Sequence, residues 1–146
     1  VSLEHTQLQV QEALDAFVRE SHAVGVQLCE RSGASLAISG DLFRVDPSRF
    51  AASLAGMMAS AQGMMRPLGK DQVRSLHIDA GEVKLLTALV KPGFSLVVVF
   101  DARSSLGVVR WRLASLVDRL SGLLGAGERQ RIGSPITDEE IENLFS

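Results

Sequence analysis

The stretch Phe94-Ser95-Leu96-Val97-Val98-Val99-Phe100 has one polar residue in seven and is bounded by Lys91-Pro92-Gly93 on one side and Asp101 on the other. A short run of β-branched and aromatic residues between turn residues reads as a strand, and a strand without polar alternation has to be covered, which puts it at the middle of a sheet. Its longest strictly apolar part, Leu96 to Phe100, falls far short of the ~20 residues that a membrane-spanning helix needs, so no membrane insertion is expected. The remaining segments must therefore supply flanking strands and helices to cover them.

They do so in a definite order. Residues Leu3 to Glu20 place Leu3, Leu8, Val10, Leu14, Phe17 and Val18 at near-helical spacing without Gly or Pro, the pattern of an amphipathic helix. Val24 to Cys29 and Ala34 to Ser39, joined by Arg31-Ser32-Gly33, read as a β-hairpin. Asp46-Pro47 offers an N-cap followed by proline at the first helical position, where its missing N–H removes no helical bond. That second helix should run to about Met65, before Pro67 and Gly69. Val73 to Ile78 and Val83 to Val90 read as strands around Asp79-Ala80-Gly81-Glu82, whose glycine can take positive φ. After the apolar strand, Ser104 or Ser105 can cap a third helix with Leu106, Val109, Leu113, Leu116, Val117, Leu120 and Leu124 on one stripe, ended by Gly125 and Gly127. Thr137-Asp138-Glu139-Glu140 is a capping-box pattern that opens a mini-helix carrying Ile141, Leu144 and Phe145 on one face. The expected fold is α/β: an α-β-β-α-β-β-β-α sandwich with one mainly antiparallel five-stranded sheet plus a C-terminal mini-helix. Residues 1–127 are expected to form one domain and 128–146 a flexible linker with the short amphipathic helix.

The chemistry this chain can perform is restricted. Net charge is −2, from 15 basic and 17 acidic residues, whereas a domain that binds nucleic acid through phosphates shows a basic stripe; nucleic-acid binding is not expected. The first twenty residues hold Glu4, Glu12, Asp15 and Glu20, unlike the basic start and apolar stretch of a signal peptide, so the expected location is cytoplasmic. Neither the phosphate-binding loop nor a Gly-x-Gly-x-x-Gly after a strand occurs, and no serine sits in a Gly-x-Ser-x-Gly elbow. His5, His22 and His77 lie on separate elements, and the lone Cys29 cannot build a thiolate site. Cys29 is expected to be a buried, inert thiol beside Val26 and Leu28. No enzyme chemistry, metal or cofactor is therefore expected, and Asp79 and Glu82 belong to turn chemistry.

The second helix is unusual on its outer side. Phe50, Leu54, Met57, Met58, Ala61, Met65 and Leu68 cluster on one face, an ordinary core side at about 100° per residue. Opposite them Ala52, Gly56, Ala59 and Gly63 recur at spacings of four, three and four, and Ala51 to Met65 contain no charge. A solvated helix carries Lys or Glu there, and each interior glycine costs roughly 1 kcal/mol relative to alanine. A flat uncharged stripe suits close approach by another backbone, either across an intermolecular contact or within a helix buried on both sides in its own domain. Trp111 lies opposite the leucine stripe of the third helix beside Arg110 and Arg112, an interface-like composition; packing under a loop or under the tail is the other reading. The Met57-Met58 and Met64-Met65 pairs suit core packing or an adaptable binding surface.

The element order resembles the roadblock / dynein-light-chain domain family. Three segments carry the resemblance: Leu54-Ala55-Gly56 with the small residues after it; Phe100-Asp101-Ala102-Arg103-Ser104-Ser105-Leu106-Gly107-Val108-Val109-Arg110; and Gly133-Ser134-Pro135 followed by Asp138-Glu139-Glu140-Ile141-Glu142-Asn143-Leu144-Phe145. The last of these is similar to the family's bacterial polarity and gliding-motility regulators. What the resemblance implies is a homodimer in which second helices pair and third strands join edge to edge. It further implies binding of one Ras-like small GTPase of the MglA type per dimer, concentrated at a cell pole, and stimulation of GTP hydrolysis by remodelling the partner's switch regions without an arginine finger. By the same resemblance Ala52, Gly56, Ala59, Gly63 and Arg66 belong to the GTPase-binding surface, and Ile141, Leu144 and Phe145 to a docking helix. Arg103, Arg110 and Trp111 are further interface candidates, with Arg103 or Arg110 as a finger the minor alternative. A non-catalytic scaffold for a GTPase or motor complex is the competing function, and ligand sensing by a profilin-, PAS- or GAF-like domain a third.

Overall fold

The structure, a computed structural model, describes residues 3–42 and 45–129. The chain runs through α1 (Leu3–Ser21), β1 (Gly25–Glu30), β2 (Ser35–Gly40), α2 (Pro47–Met65), a 3-10 turn (Arg66–Leu68), β3 (His77–Asp79), β4 (Lys84–Lys91), β5 (Phe94–Phe100) and α3 (Leu106–Arg129). The strands form one five-stranded sheet in the order β2-β1-β5-β4-β3, with every neighbouring pair antiparallel. The nearly all-apolar β5 occupies the central position, as its composition requires.

Alternation along the strands separates two unequal cores. Val26 and Leu28 of β1, Leu86 of β4, and Phe94, Leu96, Val98 and Phe100 of β5 point to the side covered by α1 and α3, where Val10, Leu14, Phe17, Val109, Leu113, Leu116 and Leu120 close the larger core. Cys29 and Val97 point to the other side, where only Ala51, Leu54 and Met58 of α2 are fully buried against them. Gln27 also faces α2. Its Nε2 donates to Ser35 Oγ at 2.7 Å and to the Pro47 carbonyl at 2.9 Å, which ties the start of α2 to the sheet.

Local chemistry accounts for several element ends. Asp46 caps α2 by accepting from Ser48 N at 3.0 Å and Arg49 N at 3.3 Å, and Pro47 is the first helical residue. Ser105 caps α3 by accepting from Val108 N at 3.2 Å. The exit from α1 uses His22 at φ 59°, with its N–H returned to the Val18 carbonyl at 3.0 Å; histidine is among the few residue types that tolerate this conformation.

Three expectations need correction. The strand read over Val73–Ile78 pairs regularly only at His77–Asp79. Upstream, Leu76 N donates to Thr87 Oγ1 at 2.7 Å and Ser75 Oγ donates to the Thr87 carbonyl at 2.8 Å. Side chains thus take the places of ladder partners, although Thr87 N and Leu89 N still reach the Leu76 and Arg74 carbonyls. The helix expected to stop at Gly125 and Gly127 continues to Arg129; glycine lowers helix propensity by only about 1 kcal/mol and keeps its N–H, so it does not force an end as proline does. Leu68, grouped with the core face of α2, is 70% exposed, because the helix has given way to the 3-10 turn around Pro67 and the periodicity no longer applies.

Candidate functional site

The outward side of α2 is open along its length. Ala52, Ser53, Gly56, Ala59, Ser60, Gly63 and Met64 are all exposed, and none carries a charge. A Cβ added at Gly56 or Gly63 would meet nothing within 4 Å, so these glycines answer no packing need among the described residues. Among the described residues the helix is not buried on both sides. One end of the stripe is anchored: a Cβ at Gly33, in the β1–β2 turn, would lie 3.2 Å from Ala52 Cα, so this turn seats directly on the first half of α2.

At the other end the stripe meets a cleft of about 290 Å³ between α2 and the ends of β1 and β5, lined among others by Cys29, Arg31, Met58, Ala59, Gln62 and Arg66. Ala59 and Arg66 therefore share one rim. Cys29 is a floor residue. Burial pushes the pKa of its thiol up to about 12, which keeps it protonated at neutral pH, and the thiolate is the reactive form. Periodicity alone misses Ser53, Ser60 and Met64 as members of the exposed face. Met64, 76% exposed, belongs to a methionine pair whose composition suits a core, and at about 100° per residue it lies only about 80° from Leu54, so its phase does not set it apart from the buried side.

Arg110 and Trp111 stand apart from this surface, since α3 packs on the opposite face of the sheet from α2, and Arg103, in the loop before α3, lies beside Val18, Arg19 and His22 at the end of α1. Arg103 is held by Asp101 through Nε–Oδ1 at 3.1 Å, Nε–Oδ2 at 3.2 Å and Nη2–Oδ2 at 3.0 Å. These hydrogen bonds from Arg103 hold the Asp101 carboxyl below the usual carboxylate range. Trp111 is 64% exposed, so it packs under no loop of the described residues; the Arg112 guanidinium lies 4.4 Å from its ring centroid and is fixed by Glu20 at 3.1 Å. Ile141, Leu144 and Phe145 lie outside the described residues. No helix among the described residues is long and apolar enough to cross a membrane.

Residues 9–100 match the family model described as the Roadblock/LC7 domain. Among solved structures, Myxococcus xanthus MglB superposes with a TM-score of 0.79 at 24% identity, over 82% of this chain and 90% of that one. The gliding protein MglB of Thermus thermophilus gives 0.75 at 23% identity, over 81% and 90%. A structure described as MglB with tetrameric arrangement gives 0.75 at 22%, over 81% and 89%. No curated protein sequence matches significantly. With the matched segment covering α1 from its second turn through all five strands, and with the helix-strand-strand-helix-strands-helix order of that fold in place, the chain belongs to the Roadblock/LC7 domain family.

Proposed function

We propose that this chain acts as a homodimeric regulator of a Ras-like small GTPase of the MglA type, accelerating GTP hydrolysis in bacterial polarity or motility. The observation that carries the reading is the exposed, charge-free α2 face with its two open glycines. A helix this bare is stable in water only at a cost, and a second backbone lying close against it removes apolar surface from solvent without leaving charge unpaired. Paired α2 helices from two chains form a shallow groove whose floor is Ala52, Gly56, Ala59 and Gly63, with Arg66 at its end. The open outer edge of β3 suits strand-to-strand continuation of the sheet across the dimer. The assembly named for a neighbouring structure, MglB with tetrameric arrangement, supports self-association.

Activation proceeds here through the partner's own residues. An inserted arginine finger is worth about 10³–10⁵ in rate, but Arg103 is committed to Asp101, and Arg110 lies on α3, across the sheet from the α2 groove. The groove can instead reshape the partner's switch loops so that groups already on the GTPase reach the γ-phosphate. Single-turnover GTP hydrolysis by an MglA-type GTPase, with and without this chain, tests the reading alongside a mass measurement of the mixture. Stimulation with two chains per GTPase is expected. Binding without stimulation would leave a scaffold, and absence of binding would overturn the partner assignment.

Deletion of Thr137–Ser146 is expected to leave the dimer mass unchanged and to weaken or retune GTPase association, read by light scattering and by titration of the labelled GTPase. Loss of the dimer on truncation would contradict this role for the tail.

A further inference from the structure

The outer side of α3 presents a second exposed apolar feature, unrelated to α2. Trp111 is 64% exposed and Val108, three residues before it, 40% exposed; residues at this spacing are neighbours on a helix surface. Arg112 covers one face of the indole and leaves the rest of the ring open. Arg110 and Arg119 are exposed on the flanks of the same region. Two acids lie nearby: Glu20, already engaged by Arg112, and Asp118, exposed further along the helix. Between Trp111 and Gly122 the outer side carries Ser115, Asp118 and Gly122, and a Cβ on Gly122 would touch nothing within 4 Å. Apart from Asp118, the stretch from Trp111 to Gly122 is built of small residues on this side.

We propose that this surface is the resting dock of the chain's own C-terminal segment, with Leu144 and Phe145 seated against Trp111 and Val108. Two observations select this occupant. The first is reach. Trp111 lies about 27 Å back from Arg129 at the helical rise per residue. Residues 130–136 in extended form span about 23 Å, and a helix over 137–145 adds about 13 Å, enough to bring the last turn to the tryptophan with slack. The second is charge. From Thr137 onward the segment has Asp138, Glu139, Glu140 and Glu142 and no basic residue, opposite in sign to Arg110, Arg112 and Arg119. A helix so short is marginal alone in water, and burial of Ile141, Leu144 and Phe145 against the helix supplies what it lacks. The dock lies across the sheet from α2, so a tail held there keeps clear of the α2 groove and is released only when another surface competes for the same three apolar side chains.

Trp111 is the only tryptophan of the chain, which makes its fluorescence a direct reading of whether it is covered. The full chain and its L144A/F145A variant are compared without any GTPase, so the outcome does not depend on the regulatory function proposed above. Expected for the full chain are emission at shorter wavelength and severalfold weaker acrylamide quenching than for the variant, whose substitutions replace none of the buried core residues. R110E/R119E in the full chain should raise quenching towards the variant's level, with circular dichroism unchanged. Equal emission and quenching in the full chain and L144A/F145A would overturn the proposal. So would protection that survives L144A/F145A and grows with protein concentration, which would assign the surface to a second copy.

Discussion

Ala59→Arg is expected to reduce stimulated GTP hydrolysis to the GTPase's basal rate while leaving the chain folded. Position 59 is exposed at the rim shared with Arg66. Arginine is nearly as good a helix former as alanine, and a surface substitution of this kind changes stability by no more than about 0.5 kcal/mol. In the groove the effect is of another order. A long cationic side chain replaces a methyl group where a partner backbone has to come close, and it either holds the surfaces apart or must be buried without a counter-charge. Single-turnover hydrolysis reads the loss, and Ala59→Ser, which keeps the volume small, should retain stimulation. Light scattering on the same variant separates the two uses of the stripe: a folded dimer without stimulation places Ala59 in the GTPase contact, whereas a monomer places it at the helix pair. Full stimulation by the folded variant would refute the groove assignment.

The second large effect concerns the scaffold. Gly40→Ala is expected to lower stability by about 2–4 kcal/mol, combining a left-handed residue with an overpacked contact. Gly40 sits at φ 94°, and an added Cβ would lie 2.4 Å from the Val24 carbonyl oxygen and 2.6 Å from Gly25 Cα. Both obstacles are backbone, so neither can turn aside. Gly40 pairs directly with Gly25 across β1 and β2, and Leu42 fills the space above Gly25, where a Cβ would fall 2.5 Å from its Cγ. For a chain of this size the expected drop in Tm is about 5–15 °C, measured at fixed protein concentration because self-association shifts Tm by mass action. Gly81→Ala is the control. It has a similar φ of 87° but open space around it, so only the backbone strain of about 1 kcal/mol applies. Equal losses at the two positions would show that the contact at Gly40 relaxes.

Much of this architecture is legible in single residues. Asp46-Pro47 marks the start of α2 because a side-chain acceptor and a residue without an N–H satisfy a helix N-terminus by local chemistry alone. The central place of β5 follows from its composition, since an apolar strand has to be covered on its faces. The bareness of the outer α2 face is visible too, as an absence of charge at helical spacing. Other features are not legible. The shortening of β3 depends on Thr87 Oγ1 capturing Leu76 N, a contact between residues eleven apart that no local pattern announces. The exposure of Leu68 depends on where α2 yields to the 3-10 turn, and a wheel drawn past that point assigns the wrong face.

Capping, turn geometry and periodicity act over a few residues, and so local sequence suffices to mark which segments are helices and strands, where most of them begin, and that one helix carries a face unsuited to water. How those faces are distributed is a matter of tertiary structure. It puts α2 by itself on one side of the sheet, with Ala52, Gly56, Ala59, Gly63 and Arg66 all exposed, and it puts Arg110 and Trp111 across the sheet from them and Arg103 beside the end of α1. That separation arises from strand alternation and pairing order between residues far apart in the chain, which bring two helices to one face and leave the third alone on the other.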